Sequence, residues 1–169
     1  SIWPSLQPID FAVVGEPTLC EMATAEKGLM VLDCIAKGKP GHAAREEGVN
    51  AIYLAMKDIE WFRTFRFPKV SHTLGEMKMS VTVINSGTQH NVVPAECKFT
   101  VDVRVTDAYT LEDALSLIRS QVSSDVTPRS LRMRSSGISP DHPLVQSAKK
   151  LKLKLYGSPT TSDQALIPV

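Results

Sequence analysis

Cys97-Lys98-Phe99-Thr100-Val101-Asp102-Val103-Arg104-Val105 alternates without a break. Cys97, Phe99, Val101, Val103 and Val105 share one face; Lys98, Thr100, Asp102 and Arg104 share the other. Successive side chains on a strand point to opposite faces, so the pattern predicts a strand packed on one side and open on the other. The segment 77–83 repeats the period, with Met77, Met79, Val81 and Val83 set against Lys78, Ser80 and Thr82. Upstream, residues 28–36 are rich in Leu, Val and Ile and read as another strand. Between them, residues 48–62 place Ile52, Ala55, Met56, Ile59 and Phe62 on one helical face. Downstream, Thr110 followed by Asp113 forms a helix-capping pattern, and Leu111, Ala114, Leu115, Ile118 and Val122 form the stripe behind it. Leu131 and Met133, flanked by Arg132 and Arg134, predict the last strand. The order β-α-β-β-α-β over 28–134 predicts a ferredoxin-like α+β fold, a four-stranded antiparallel sheet with two helices on one face.

Segments of different texture flank this unit. Residues 11–14 are an apolar run read as a buried strand that ends in the turn Gly15-Glu16-Pro17-Thr18. Asp141-His142-Pro143 opens a third helix, with Leu144, Ala148, Leu151 and Leu155 inward, lysines outward and Gly157 as its stop. Thr160-Thr161-Ser162-Asp163 follows as a turn of cap-forming residues. The flanks carry no complete core. The division expected is a ferredoxin-like domain over 29–136 inserted between partial segments 1–28 and 137–169. With no initiator Met, and an end at Ile167-Pro168-Val169, the chain is expected to be an excised piece of a longer protein.

Composition narrows the function classes. Of 169 residues, 43% are hydrophobic and 22% charged, values of an ordinary globular chain rather than a disordered tail. Nineteen Lys and Arg against 18 Asp and Glu leave a net charge of +1, so no basic field exists to hold nucleic acid. No apolar run approaches the roughly 20 residues of a membrane helix, and the first residues lack the pattern of a signal peptide. Cys20, Cys34 and Cys97 are scattered and odd in number, which argues against a disulfide framework or zinc finger. They suit a reducing cytoplasm, with each thiol acting as a small hydrophobe.

Four side chains stand out chemically. Glu16 follows an apolar run between Gly15 and Pro17; it reads either as a solvated turn carboxylate or as a rigidly held oxygen ligand for Zn²⁺ or Mn²⁺. His42 ends the loop Lys37-Gly38-Lys39-Pro40-Gly41, as an exposed imidazole or as a donor to a developing oxyanion. Asn91 sits in Gly87-Thr88-Gln89-His90-Asn91-Val92-Val93-Pro94, too long for a two-residue hairpin and crowded with hydrogen-bonding groups. His90 beside it is ambiguous, and His72 and His142 have no patterned context. Arg104 shares its open face with Asp102, which permits a same-face ion pair or a bidentate clamp on a ligand carboxylate. No Ser-His-Asp arrangement, P-loop or dinucleotide fingerprint is present.

In order, Val14-Gly15-Glu16-Pro17-Thr18, Gly38-Lys39-Pro40-Gly41-His42-Ala43-Ala44, Gly87 through Cys97, Asp102-Val103-Arg104 and Thr161-Ser162-Asp163 resemble one family. It is the co-catalytic zinc metallopeptidases, which include aminoacylases, carboxypeptidase G, acetylornithine deacetylase and succinyl-diaminopimelate desuccinylase. Thr160-Thr161-Ser162-Asp163-Gln164-Ala165-Leu166 looks like the acetylornithine deacetylase branch, including its succinylornithine variant. The resemblance implies an α/β catalytic domain with two divalent metals, zinc with cobalt or manganese able to substitute, and an inserted lid domain that dimerises. It implies hydrolysis of the amide bond of an N-acylated amino acid. Glu16 matches a metal ligand. His42 matches the lid His that reaches the partner subunit's site to hold the scissile carbonyl oxygen. Asn91 and Arg104 match substrate-binding lid residues, Arg104 through the substrate carboxylate, and Thr161 and Ser162 match a loop beside that carboxylate. The family's His-x-Asp, bridging Asp and Glu-Glu general base are not in this chain; its one Glu-Glu, Glu46-Glu47, follows the lid loop instead. The chain alone is therefore expected to hold no metal tightly and to turn nothing over. The expected dimer contact is an edge strand over 78–84 and the helix over 49–62, with Tyr53 and Trp61 as anchors. The rival reading is a non-catalytic ferredoxin-like dimerisation or small-molecule-binding module. A parent sequence with His-x-Asp and Glu-Glu upstream and a His downstream would decide between them.

Overall fold

The computed structural model describes residues 11–166. In chain order the elements are β1 (Met22–Glu26), β2 (Gly28–Lys37), β3 (Gly41–His42), α1 (Ala51–Thr64), β4 (Lys78–Ser86), β5 (Val92–Val93), β6 (Glu96–Val105), α2 (Leu111–Gln121), β7 (Asp125–Pro128), β8 (Ser136–Gly137), α3 (Pro143–Lys150) and β9 (Leu155–Ser158). A 3-10 turn, Asp163–Leu166, follows.

The central ladder pairs β2 with β6 along their whole lengths, from Gly28 opposite Val105 to Lys37 opposite Glu96. Each strand buries alternate residues: Met30, Leu32, Cys34 and Ala36 on one, Cys97, Phe99, Val101, Val103 and Val105 on the other. β4 and β7 flank them in the antiparallel order β4-β6-β2-β7. α1 and α2 supply Ala51, Ala55, Phe62, Leu111, Ala114, Leu115 and Ile118 to the same core. β2-α1-β4-β6-α2-β7 is thus the ferredoxin-like arrangement expected. Both helices start on side-chain caps that satisfy orphan backbone donors. Asn50 Oδ1 accepts from Ile52 N at 2.9 Å, and Thr110 Oγ1 accepts from Asp113 N at 3.0 Å. Cys34 and Cys97 fill this core; burial pushes the Cys34 thiol up to about 12 and raises that of Cys97. Cys20 departs from the small-hydrophobe expectation, being exposed.

Several local expectations are corrected. Residues 11–14 form no strand: they are irregular, with Phe11 and Val13 exposed, because no described strand offers them a ladder. The first strand is β1, whose Ala23, Thr24 and Ala25 carry little apolar signal; it pairs antiparallel with β8 and parallel with β9. The last strand of the four-stranded sheet is β7, with Val126 in the core. Leu131 to Arg134 only skirt β2, with Leu29 N donating to Met133 O at 2.9 Å. The buried face of α1 is Ala51, Ala55, Asp58 and Phe62; Met56 is exposed and Ile52 and Ile59 are half-buried. Trp61 is half-buried too, stacked on Phe65 at 4.6 Å between ring centroids, rather than projecting outward. In β4 the register slips between Val81 and Val83, and Val83 is exposed. A bulge of this kind inserts an extra residue and breaks the strict alternation.

The third helix is shorter than its lysine-rich pattern suggests. α3 starts at the expected place, with His142 Nδ1 accepting from Leu144 N at 3.2 Å. It ends at Lys150 because Lys152 adopts φ +59°, with Lys152 N donating to Lys149 O and Leu153 N to Ala148 O, both at 3.0 Å. That is a Schellman stop with lysine where glycine is usual. Leu151 is left exposed, and Leu155 lies in β9.

Candidate functional site

Two of the sequence-selected residues meet at one end of the sheet. β3 and β5 pair antiparallel, Gly41 opposite Val93 and His42 opposite Val92, and Ala43 N donates to Asn91 O at 2.9 Å. This ribbon prolongs the β2–β6 ladder past Lys37 and Glu96, with Gly38 N donating to Ala95 O at 2.7 Å. The loop bearing His42 closes through Lys39 and Val49, each donating its N–H to the other's carbonyl at 2.8 Å. Glycine is needed here for close approach. A Cβ on Gly38 would collide with the backbone carbonyl of Val49, and one on Gly41 with that of Glu47. His42 and Asn91 are both exposed. His42 Nδ1 accepts from Ala44 N at 3.1 Å. In the neutral ring that hydrogen bond assigns the proton to Nε2, which leaves an outward donor suited to a carbonyl oxygen gaining negative charge.

Arg104 lies at the other end. It pairs with Leu29 and Lys78, eight residues along β6 from Glu96. At about 3.4 Å per residue that is about 27 Å. Its Nε donates to Asp102 Oδ1 at 2.8 Å and its Nη2 to Asp102 Oδ2 at 3.0 Å, the two side chains 26% and 29% exposed. Both sequence readings of Arg104 are therefore compatible. Asp102 engages one edge of the guanidinium, and the Nη1/Nη2 edge keeps donors for a second carboxylate. Asp33 on the same open face is paired too: Arg129 donates to it at 2.8 and 2.9 Å, and Thr100 Oγ1 donates to it at 3.2 Å. The Arg129 hydrogen bonds hold the Asp33 carboxyl below its usual range.

Thr161 and Ser162 lie near the start of β2, against the junction of β1 and β2. Ser162 donates through both N and Oγ to Glu26 Oε2, each at 2.8 Å, and Thr161 Oγ1 donates to Lys27 O at 2.5 Å. Glu26 is 7% exposed and has no signal in the sequence, because a Glu between Ala25 and Lys27 carries no motif. Glu16 stands apart from all of these. It is exposed in the irregular stretch before β1 rather than directly after a strand, and its carbonyl accepts from Thr18 N at 2.8 Å. Among the described residues no three His, Cys, Asp or Glu converge as a metal site. The donors described here do not by themselves compose a metal centre. A cleft of about 540 Å³ opens beside Lys27, Arg66, Glu76 and Lys78, but none of the six sequence-selected residues lines it. Burial, and after it the charge of Lys78, lowers the proton affinity of the Lys27 ammonium in that cleft. Among the described residues no helix is long and apolar enough to cross a membrane.

A two-helix ferredoxin-like domain with paired loops at one sheet end and the Arg104–Asp102 ion pair at the other defines a class of protein. The chain belongs to the M20 peptidase dimerisation-domain family, whose model, described as a peptidase dimerisation domain, matches residues 24–128. It is 30% identical over 121 residues to acetylornithine deacetylase of Proteus mirabilis, covering 68% of this chain and 31% of that protein. The aminopeptidase PepT of Bacillus cereus superposes with a TM-score of 0.66 at 18% identity, over 88% of this chain and 42% of that one. An M20 family metallo-carboxypeptidase of Sulfolobus solfataricus gives 0.60 at 12% identity, over 88% and 56%. The chain spans about a third of the length of the curated relatives it matches.

Proposed function

We propose that this chain is the lid, with adjoining catalytic-domain segments, of a cytoplasmic metal-dependent amidohydrolase that cleaves the amide of an N-acylated amino acid. The observation that carries the reading is the separation of its two sets of polar groups. His42 and Asn91 sit beyond the Glu96 end of β6, and Arg104 lies about 27 Å away from that end. An acylated amino acid is far shorter than that. One subunit therefore supplies Arg104 to a given substrate, and a second copy supplies His42 and Asn91. A homodimer through the lid meets this need, because two-fold symmetry makes two such composite sites at once.

The roles then follow from the donors. Arg104 holds the substrate carboxylate, with Thr161 and Ser162 beside it. His42 Nε2–H donates to the amide oxygen as it gains charge, from the partner's lid. Zinc, bound in part through Glu16 with its other ligands outside this chain, would supply a hydroxide nucleophile near neutral pH. The full-length enzyme is expected to release free amino acid from N-acetyl and N-succinyl substrates, to lose this on chelation and to regain it with zinc. Glu16→Ala is expected to lower bound metal and rate together. Full activity at unchanged metal content would remove Glu16 as a ligand, and no hydrolysis of any N-acyl amino acid would overturn the function.

The dimer has its own test. β4 is an edge strand, and beside it α1 turns Tyr53 and Met56 outward, 66% and 57% exposed; Ile84 on β4 is 52% exposed. Exposed apolar groups along an edge strand mark a pairing surface. Sedimentation of the purified chain is expected to report two copies, and Tyr53→Glu to shift it toward one. A monomer at high micromolar concentration, in both this chain and the full-length enzyme, would remove the trans role of His42.

A further inference from the structure

We propose that Glu26 is a positioning residue: it sets the loop of Thr161 and Ser162 against the carboxylate end of the substrate, an inference that rests on the deacylase reading above. Glu26 closes β1 and is, with Asp58, one of two buried carboxylates among the described residues. Buried charge is costly unless it is fully hydrogen-bonded, so a carboxylate kept there has definite partners. Its Oε2 takes both the amide and the hydroxyl of Ser162 at 2.8 Å.

The same loop is fixed at two further points. Thr161 Oγ1 donates to Lys27 O at 2.5 Å, and Gln164 Nε2 donates to Ser136 Oγ at 2.8 Å. Glu26 and Ser136 are register partners across β1 and β8, so these bonds span both chain crossings between the small three-stranded sheet and the large sheet. The crossings are pressed together: a Cβ on Gly28 would lie 2.6 Å from Ser135 N. Two residues beyond Lys27 comes Leu29, the partner of Arg104. Glu26 therefore fixes the loop at the end of the sheet where the guanidinium stands.

The hydroxyl chemistry sharpens this. Ser162 has one O–H proton and donates it to Glu26, and its amide donates there too. Neither is free for a substrate carboxylate. Ser162 thus acts as the pin of the loop, and contact with substrate falls to the neighbouring groups that the pin holds in place.

Two measurements test this together. In the chain itself, Glu26→Ala is expected to speed amide exchange at Ser162 by about 10- to 100-fold, the loss of a charge-assisted hydrogen bond, with β2 and β6 amides unchanged. In the full-length enzyme the same variant is expected to raise KM for an N-acyl amino acid by about tenfold with kcat nearly preserved, and to leave its carboxamide analogue unaffected. Glu26→Gln keeps one acceptor oxygen and should restore much of both, and it serves if the Ala variant does not fold. Unchanged Ser162 exchange would overturn the contact. Faster exchange with an unchanged KM would make the contact structural only and overturn the positioning role. Absence of hydrolysis by the unmodified enzyme would overturn the deacylase reading instead, which the exchange measurement distinguishes.

Discussion

Arg104→Ala in the full-length enzyme is expected to cut kcat/KM for N-acyl amino acids by about thirtyfold or more. Truncating one member of a desolvated charge pair costs about 2–5 kcal/mol, and each 1.4 kcal/mol is tenfold. The loss should fall on substrates with a free carboxylate and spare their carboxamides. Arg104→Lys tests the geometry. A lysine keeps the charge but not the planar fork, so it should recover little if the Nη1/Nη2 edge grips the substrate side-on. Asp102 complicates the Ala variant, since it would be left without the guanidinium that now meets both its oxygens at 2.8 and 3.0 Å. A thermal melt separates that cost from recognition. Equal losses on carboxylate and carboxamide substrates would reduce Arg104 to a structural partner of Asp102.

What can be read from the sequence is what depends on near neighbours along the chain. The alternation of β6 predicts its buried face residue by residue, because period two and one-sided packing leave no second solution. Thr110 and Asp113 declare a helix start three residues apart, and the structure makes that hydrogen bond. The stop of α3 is illegible because Lys152 takes a left-handed conformation that statistics reserve for Gly or Asn. The slip in β4 is illegible for a related reason, since a bulge leaves no compositional mark. At the candidate site the individual loops around His42 and Asn91 carry signals, but their meeting depends on a ladder between residues some fifty positions apart. Glu26 depends on Ser162, 136 positions away, and nothing local marks either as a partner.

Asp58→Ala is the substitution expected to damage the fold most among the polar residues. On α1 the spacing assigns Ile52, Met56 and Ile59 to the core, yet the buried row runs through Asp58, 6% exposed. The reason lies across the molecule. Asp58 Oδ1 accepts from Ser123 N at 3.1 Å, and Oδ2 accepts from Ser124 N at 2.8 Å and from Ser124 Oγ at 2.5 Å. These donors belong to the turn between α2 and β7, so a carboxylate on one helix caps the turn that follows the other. Alanine would leave the buried Ser124 donors unsatisfied, and each such group costs about 1–3 kcal/mol. A loss of about 3 kcal/mol corresponds to a fall in melting temperature of roughly 10 °C for a chain of this size. The Asp58→Asn variant would keep an acceptor and lose the charge, so its fall should be smaller. Because the capped turn feeds β7, hydrogen exchange should rise first at Val126, ahead of the β2–β6 ladder. A melting temperature within about 2 °C of the parent for Asp58→Ala would show that water replaces the carboxylate and that the turn holds without it.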